Sequence, residues 1–201
     1  WLIQKLKTEL AGDRSYEEIE EMAEAAGPGW LVDPGDRSFY NPESMKQAFD
    51  DFFRRTGQDV PDTPGPYFRC AYDSLSHSFR YHLEIMEKMT GRALPVIHMI
   101  GGGSQSRYLC DRTADICRKP VHAGPTEAAT LGNIAVQAIA QKQIPGLAET
   151  GPLAVRPHHQ HVGTGAVDEA RLRHVQGRHA RNLRLGCCGI RFSGPPPLTS
   201  R

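Results

Sequence analysis

No stretch of this chain approaches the roughly 18 apolar residues of a membrane-crossing helix. No basic segment followed by an apolar one precedes the first structured region, so nothing resembles a signal peptide. Neither sign of charge is in excess: 24 Lys and Arg face 23 Asp and Glu over 201 residues, a net charge of +1. With 39% hydrophobic and 23% charged residues, the composition is that of an ordinary globular chain. Cysteine is sparse too, five in all, an odd number with Cys187 and Cys188 adjacent. That excludes a secreted disulfide framework and favours a reducing cytoplasm. The chain also lacks a starting Met and opens at Trp1 inside a helical pattern, which predicts a fragment.

Charge is absent overall but unevenly spread. Residues 151–201 hold eight Arg, no Lys and only two acids, Asp168 and Glu169, a local charge of +6 that leaves residues 1–150 at −5. This segment has no Met, Trp or Tyr, and Phe192 is its single large aromatic. It offers little apolar surface against an ordering cost of about 1–2 kcal/mol per residue. The expected organisation is a domain over 1–149 and a basic tail over 150–201, disordered or out of frame. Arg without Lys is the signature expected of a shifted reading frame in GC-rich coding sequence rather than of a nucleic-acid arm, so the tail is assigned no function. Sequencing the locus checks this: an intact ending in another frame supports it, and none in either frame overturns it.

Before the tail, helical stripes dominate. Leu2, Ile3, Leu6 and Leu10 form one, with its start missing. Ser15-Tyr-Glu-Glu18 has capping-box spacing and opens a helix with Ile19, Met22 and Ala26 inward, stopped by Gly27-Pro28-Gly29. A loop turns at Pro34-Gly35-Asp36. Asn41-Pro42 predicts an N-cap followed by Pro at the first helical position. The helix behind it buries Met45, Ala48, Phe49, Phe52 and Phe53 and ends at Gly57. Pro61, Pro64 and Pro66 predict a stiff connector. A long helix follows, with Phe68, Tyr72, Leu75, Phe79, Leu83, Met86 and Met89 at spacings of three and four. Pro95–Ile100 is a near-continuous apolar run, expected to form a strand covered on both faces. Gly101-Gly102-Gly103 leads into a helix through Leu109 and Ile116, Pro120-Val-His122 suits a short second strand, and a small-residue helix over Ala128–Ala138 stops before Pro145. The order predicts an α/β domain.

Three glycines between a strand and a helix let backbone amides approach a ligand, and the helix start behind them favours an anion. They match neither the dinucleotide fingerprint nor a P-loop, because no Gly-Lys-Ser/Thr follows. Asp73, Ser74 and His77 share one helix at i, i+1 and i+4, which cannot build a convergent triad. Cys70, Cys110 and Cys117 are expected to pack as small apolar residues, and His98 to be a satisfied core or interface residue. His158-His159-Gln-His161 reads as a solvated loop, without an acid or Cys at ligand spacing.

Ile100-Gly-Gly-Gly-Ser-Gln-Ser-Arg-Tyr-Leu109 together with Ala123-Gly-Pro-Thr-Glu-Ala-Ala-Thr-Leu-Gly-Asn133 resembles the carboxy-terminal ATP-binding domain of the FGGY carbohydrate kinases. Within that family the similarity is greatest to the rhamnulokinases. Trp1-Leu-Ile-Gln4, Phe39-Tyr-Asn-Pro-Glu-Ser-Met45 and Arg69-Cys-Ala-Tyr-Asp-Ser-Leu75 fit the same family, so the resemblance covers about residues 1–149. It implies an actin-like, ribonuclease-H-like ATPase fold, here partial and helix-rich with one or two strands remaining. It further implies transfer of the γ-phosphoryl group of ATP to the 1-hydroxyl of L-rhamnulose, with Mg²⁺, in rhamnose catabolism. Residue by residue, Gly102 would meet the nucleotide through its main chain and Gln4 matches a family nucleotide contact, with Gly101, Gly103 and Gln105 as neighbours. The family's catalytic Asp and sugar pocket have no counterpart in these residues, so no catalytic or metal-binding residue is assigned. Neither nucleic acid nor a membrane is an expected partner. The alternatives are another FGGY kinase of xylulokinase type, a non-catalytic actin-like nucleotide-binding module, or a helical partner-binding scaffold without a ligand.

Overall fold

In the computed structural model, residues 1–146 and 159–161 are described. Ser15 and Glu18 form the expected capping box at the start of α2 (Tyr16–Ala25), each satisfying the other's backbone amide. The preceding helix is α1 (Leu2–Leu10). The core lies where α1, α3 (Met45–Thr56) and α4 (Pro64–Thr90) meet. There Phe39, Phe49, Phe53 and Tyr67 form an aromatic cluster with ring centroids 5.0–6.2 Å apart, beside buried Leu6, Ile19, Met45 and Phe68. The apolar stripe of α3 is buried as its spacing predicts. Asp50 is buried within it, its carboxylate neutralised by Lys46 at 2.7 Å and hydrogen-bonded by the Tyr67 hydroxyl.

Helix α4 crosses α2 so closely that a Cβ on Gly65 would stand 2.7 Å from the Met22 carbonyl oxygen. The expected proline connector is shorter than predicted, because Pro64 already occupies the first turn of α4. The far half of α4 departs from its stripe: Leu83 is buried, but Phe79, Met86 and Met89 are exposed. Periodicity reports an apolar face and not whether a neighbour covers it.

The start of α3 also differs. Its N-cap is Ser44, not Asn41, which instead adopts a left-handed backbone with φ 57°. The cause is tertiary. The Glu9 carboxylate on α1 accepts from the Ser44 hydroxyl at 2.8 Å, the Met45 amide at 2.7 Å and the Lys46 amide at 2.9 Å. Burial pushes the Glu9 carboxyl up, but these hydrogen bonds outweigh it and hold the group below its ordinary range. A depressed carboxyl contributes stability above its unfolded pKa and loses it as pH falls through the folded value. Glu9→Gln is therefore expected to cost about 1 kcal/mol near neutrality, the size of a typical cap. The gap between the two proteins should close as melting is followed from pH 7 down past pH 4. A gap that widens in acid would contradict the capping role.

The sheet is small. Strand β1 (Ile97–Met99) pairs in parallel with β2 (Val121–Ala123), and β2 pairs antiparallel with β3 (His159–His161), in the order β1-β2-β3. Ile97, Met99, Val121 and Ala123 pack with Cys110 and Ala114 of α5 (Arg107–Cys117). The expected covering of both faces is not realised: His98 and Ile100 are exposed. His98 is thus no core residue, and its ring meets that of His122 edge-on, centroids 5.3 Å apart. The two parallel strands are those expected, whereas β3 adds a strand within a segment expected to be a solvated loop. Helix α6 (Ala128–Ala140) forms as predicted, with no buried residue. The remainder of the tail, for which disorder or a shifted frame is expected, lies outside the described residues.

Candidate functional site

A glycine just beyond a strand lets the chain turn through backbone conformations closed to other residues. At the end of β1, the Gly101 backbone takes φ 79° and ψ −165°, a conformation open essentially to glycine alone. The Gly101 amide donates to the Pro125 carbonyl at 3.2 Å, so the chain leaves β1 held against the segment that follows β2. One 3-10 turn, Gly102–Gln105, follows and passes into α5 at Ser106. The Ser104 hydroxyl lies 2.7 Å from the Gly101 carbonyl and 2.9 Å from that of Gly124. The Gln105 side-chain amide donates to the Thr126 hydroxyl at 3.1 Å. The two sequence motifs are therefore hydrogen-bonded to each other, Ser104 reaching Gly124 20 positions on and Gln105 reaching Thr126.

The three glycines do different things. A side chain at Gly101 is barred by backbone conformation. At Gly103 a Cβ would touch Leu109 and Met99 at 3.6 and 3.7 Å, so this residue faces its own core. Gly102 is exposed, and a Cβ there meets nothing within 4 Å. Of the three, Gly102 alone combines open space beside the main chain with a backbone outside the left-handed region. Gln4 lies on another element: it is an exposed residue of α1, a helix packed on α3 and α4. Gly101→Ala is expected to lower stability by about 1–3 kcal/mol from backbone strain alone, measured by denaturant unfolding. A cost below about 0.5 kcal/mol, the usual range of neutral surface changes, would show that the turn relaxes freely.

The helix start behind the glycines does favour an anion, but the chain supplies it. Glu20 of α2 accepts from the Ser106 hydroxyl at 2.6 Å and from the Tyr108 amide at 3.2 Å, while Ser106 caps the Leu109 amide. Those donors are already engaged, so a ligand phosphate does not find them here. Sequence reasoning missed Glu20, Ser104 and Thr126, since nothing local links Glu20 to a residue 86 positions on.

Beneath the turn, α4 and α5 are locked together by charge. Asp73 is buried and accepts from Arg69 at 2.9 Å and from Arg112 at 2.7 Å. Arg69 also lies over the Tyr108 ring, which meets Tyr72 edge-on at 5.1 Å. Ser74 accepts from the Val32 amide at 2.9 Å, and His77 is buried on the same helix. Cys70, Cys110 and Cys117 are free and buried, and burial raises all three thiols, Cys110 to about 11. No three His, Cys, Asp or Glu side chains gather as a metal site among the described residues.

Comparison with known proteins places this arrangement. Residues 1–141 match the model of the FGGY family of carbohydrate kinases, C-terminal domain. A rhamnulokinase from Bacteroides thetaiotaomicron is 38% identical over 140 residues, covering 69% of this chain and 29% of that protein. One from Bacillus subtilis is 33% identical over 150 residues, covering 74% and 31%. Among solved structures, the xylulose kinase of Rhodospirillum rubrum superposes with a TM-score of 0.65 over 92% of this chain and 38% of its own, at 20% identity. The chain thus spans about 30% of the length of the curated relatives it matches.

Proposed function

The chain belongs to the FGGY family of carbohydrate kinases, within its carboxy-terminal domain, and on that premise we propose that it carries the nucleotide side of an ATP-dependent kinase for L-rhamnulose. Residues 1–149 form the kinase segment in this reading. Gly102 meets the nucleotide through its main chain, with Gly101, Gly103 and Gln105 shaping the turn and Gln4 as an outlying contact. The observation that carries the reading is the open main chain at Gly102, pinned between two motifs that resemble the family's. The choice of sugar is supported by relatives of 33% and 38% identity named rhamnulokinase.

The turn suits the uncharged part of a nucleotide. No side chain stands between solvent and the main chain at Gly102, and the Ser106 hydroxyl and Tyr108 amide at the start of α5 are taken by Glu20. Phosphoryl transfer depends mainly on positioning and on stabilising charge. The described residues contribute the first of these. Among the described residues no three His, Cys, Asp or Glu side chains gather around a common point, and the Mg²⁺ that the family context implies is of the kind held by nucleotide phosphates, water and one or two carboxylates. No residue is assigned the role of base for the sugar hydroxyl. The family context suggests a cytoplasmic setting, and no described helix is long and apolar enough to cross a membrane.

Calorimetry with ATP is expected to show binding by this chain, without sugar-dependent ADP release. A full-length protein containing the chain should release ADP with L-rhamnulose in preference to D-xylulose. Turnover by the chain alone, or a preference for D-xylulose, would overturn the corresponding part of this reading.

A further inference from the structure

We propose that Glu20 is a positioning residue for the nucleotide-binding turn, its carboxylate on α2 fixing the point where the turn becomes α5. The inference rests on the nucleotide reading above and extends it to a residue outside both motifs. Ser106 ends the turn, donating its amide to the Gly103 carbonyl at 3.2 Å, and it begins α5, accepting from the Leu109 amide at 3.1 Å. With its oxygen so used, the Ser106 hydroxyl gives its proton to Glu20 at 2.6 Å. The second carboxylate oxygen takes the Tyr108 amide. One charged group thereby orients the N-cap and occupies a helix amide, and such charge-assisted bonds are about twice as strong as neutral ones. Burial, and then the neighbouring Glu20, push the Tyr72 hydroxyl above its ordinary value.

The two ends of the turn are thus held by different parts of the chain. The entry, at Gly101, is tied to Pro125 and, through Ser104, to Gly124. The exit, at Ser106, is tied to α2. Gly102 lies between these ties, and nothing within 4 Å backs the position of its missing side chain. Its placement therefore depends on the ties at either end, and a main-chain contact to a ligand tolerates little displacement.

Glu20→Ala removes the acceptor and leaves a carboxylate-sized gap facing two donors. Amide exchange is expected to quicken at Tyr108 and across Gly102–Ser106, with the protection of α3 unchanged. ATP affinity should fall on the order of tenfold, the effect of losing a charged hydrogen-bond partner. Added formate should restore both, and formamide should not. Glu20→Gln, which keeps an acceptor but not the charge, is expected to fall between, and it serves if the alanine variant does not fold. Unchanged exchange at the turn overturns the proposal. So does faster exchange with ATP affinity within about twofold of the unmodified chain, or loosening spread evenly through the core. If the unmodified chain binds no ATP, the nucleotide reading itself fails and takes the inference with it. That failure shows before any substitution is made.

Discussion

Gly102→Val is expected to abolish ATP binding and leave the fold intact. The backbone at Gly102 is not left-handed, and a Cβ there meets no atom within 4 Å, so the protein itself has no objection to a side chain. The branched side chain fills the open space beside the main chain that the proposed nucleotide contact needs. Apo stability should stay within about 0.5 kcal/mol of the unmodified chain, as for a surface change. ATP affinity should drop at least about a hundredfold, or about 2.7 kcal/mol. Calorimetry with chemical unfolding on the same sample checks both halves. A valine variant that binds ATP within about threefold of the original would remove Gly102 from the site. The contrast with Gly101→Ala is instructive, because there the expected damage is to the fold.

The largest expected loss of stability comes from Asp73→Ala. Two guanidiniums converge on this buried carboxylate from α4 and α5, and Arg69 and Arg112 are themselves only 12% and 24% exposed. Burial disfavours the Arg112 charge, and Asp73 more than offsets it. Without Asp73, the Arg69 guanidinium loses its carboxylate and Arg112 keeps only Asp115, at 3.6 Å. The cost is expected at about 3–5 kcal/mol, a large part of the about 5–15 kcal/mol that typically holds a domain. Replacing Arg69 and Arg112 by Leu in the same variant should recover part of the loss, because an apolar cluster tolerates burial where an unpaired charge does not. Denaturant midpoints of the three proteins test this. A loss below about 1 kcal/mol, the value of a surface ion pair, would show that water reaches the cluster.

What was legible in the sequence was local. The capping box of α2 lies within four residues, and the stripe of α3 within three turns, so both follow from spacing. The glycine turn was legible as a turn, and its pairing with the segment after β2 followed from resemblance. What escaped was set by distant contacts. Two residues, Asn41 and Ser44, could have capped α3, and Glu9 from α1 decided between them. Glu20 lies on the helix opened by the capping box, yet its role depends on α5. Asp73, set aside as a catalytic residue, holds Arg112, which is 39 positions away. The apolar run at 95–100 and the outer stripe of α4 promised burial that His98, Ile100, Met86 and Met89 do not have. Composition records that a face is apolar, while only the assembled neighbours settle whether it is covered.

The most direct test of the nucleotide site is a crystal structure of the chain grown with a nonhydrolysable ATP analogue. The account predicts the nucleoside in van der Waals contact with the main chain of Gly101–Gly103, and Glu20 still bonded to Ser106 and Tyr108. An analogue bound elsewhere, or phosphates on the amides of α5 with Glu20 displaced, would contradict it.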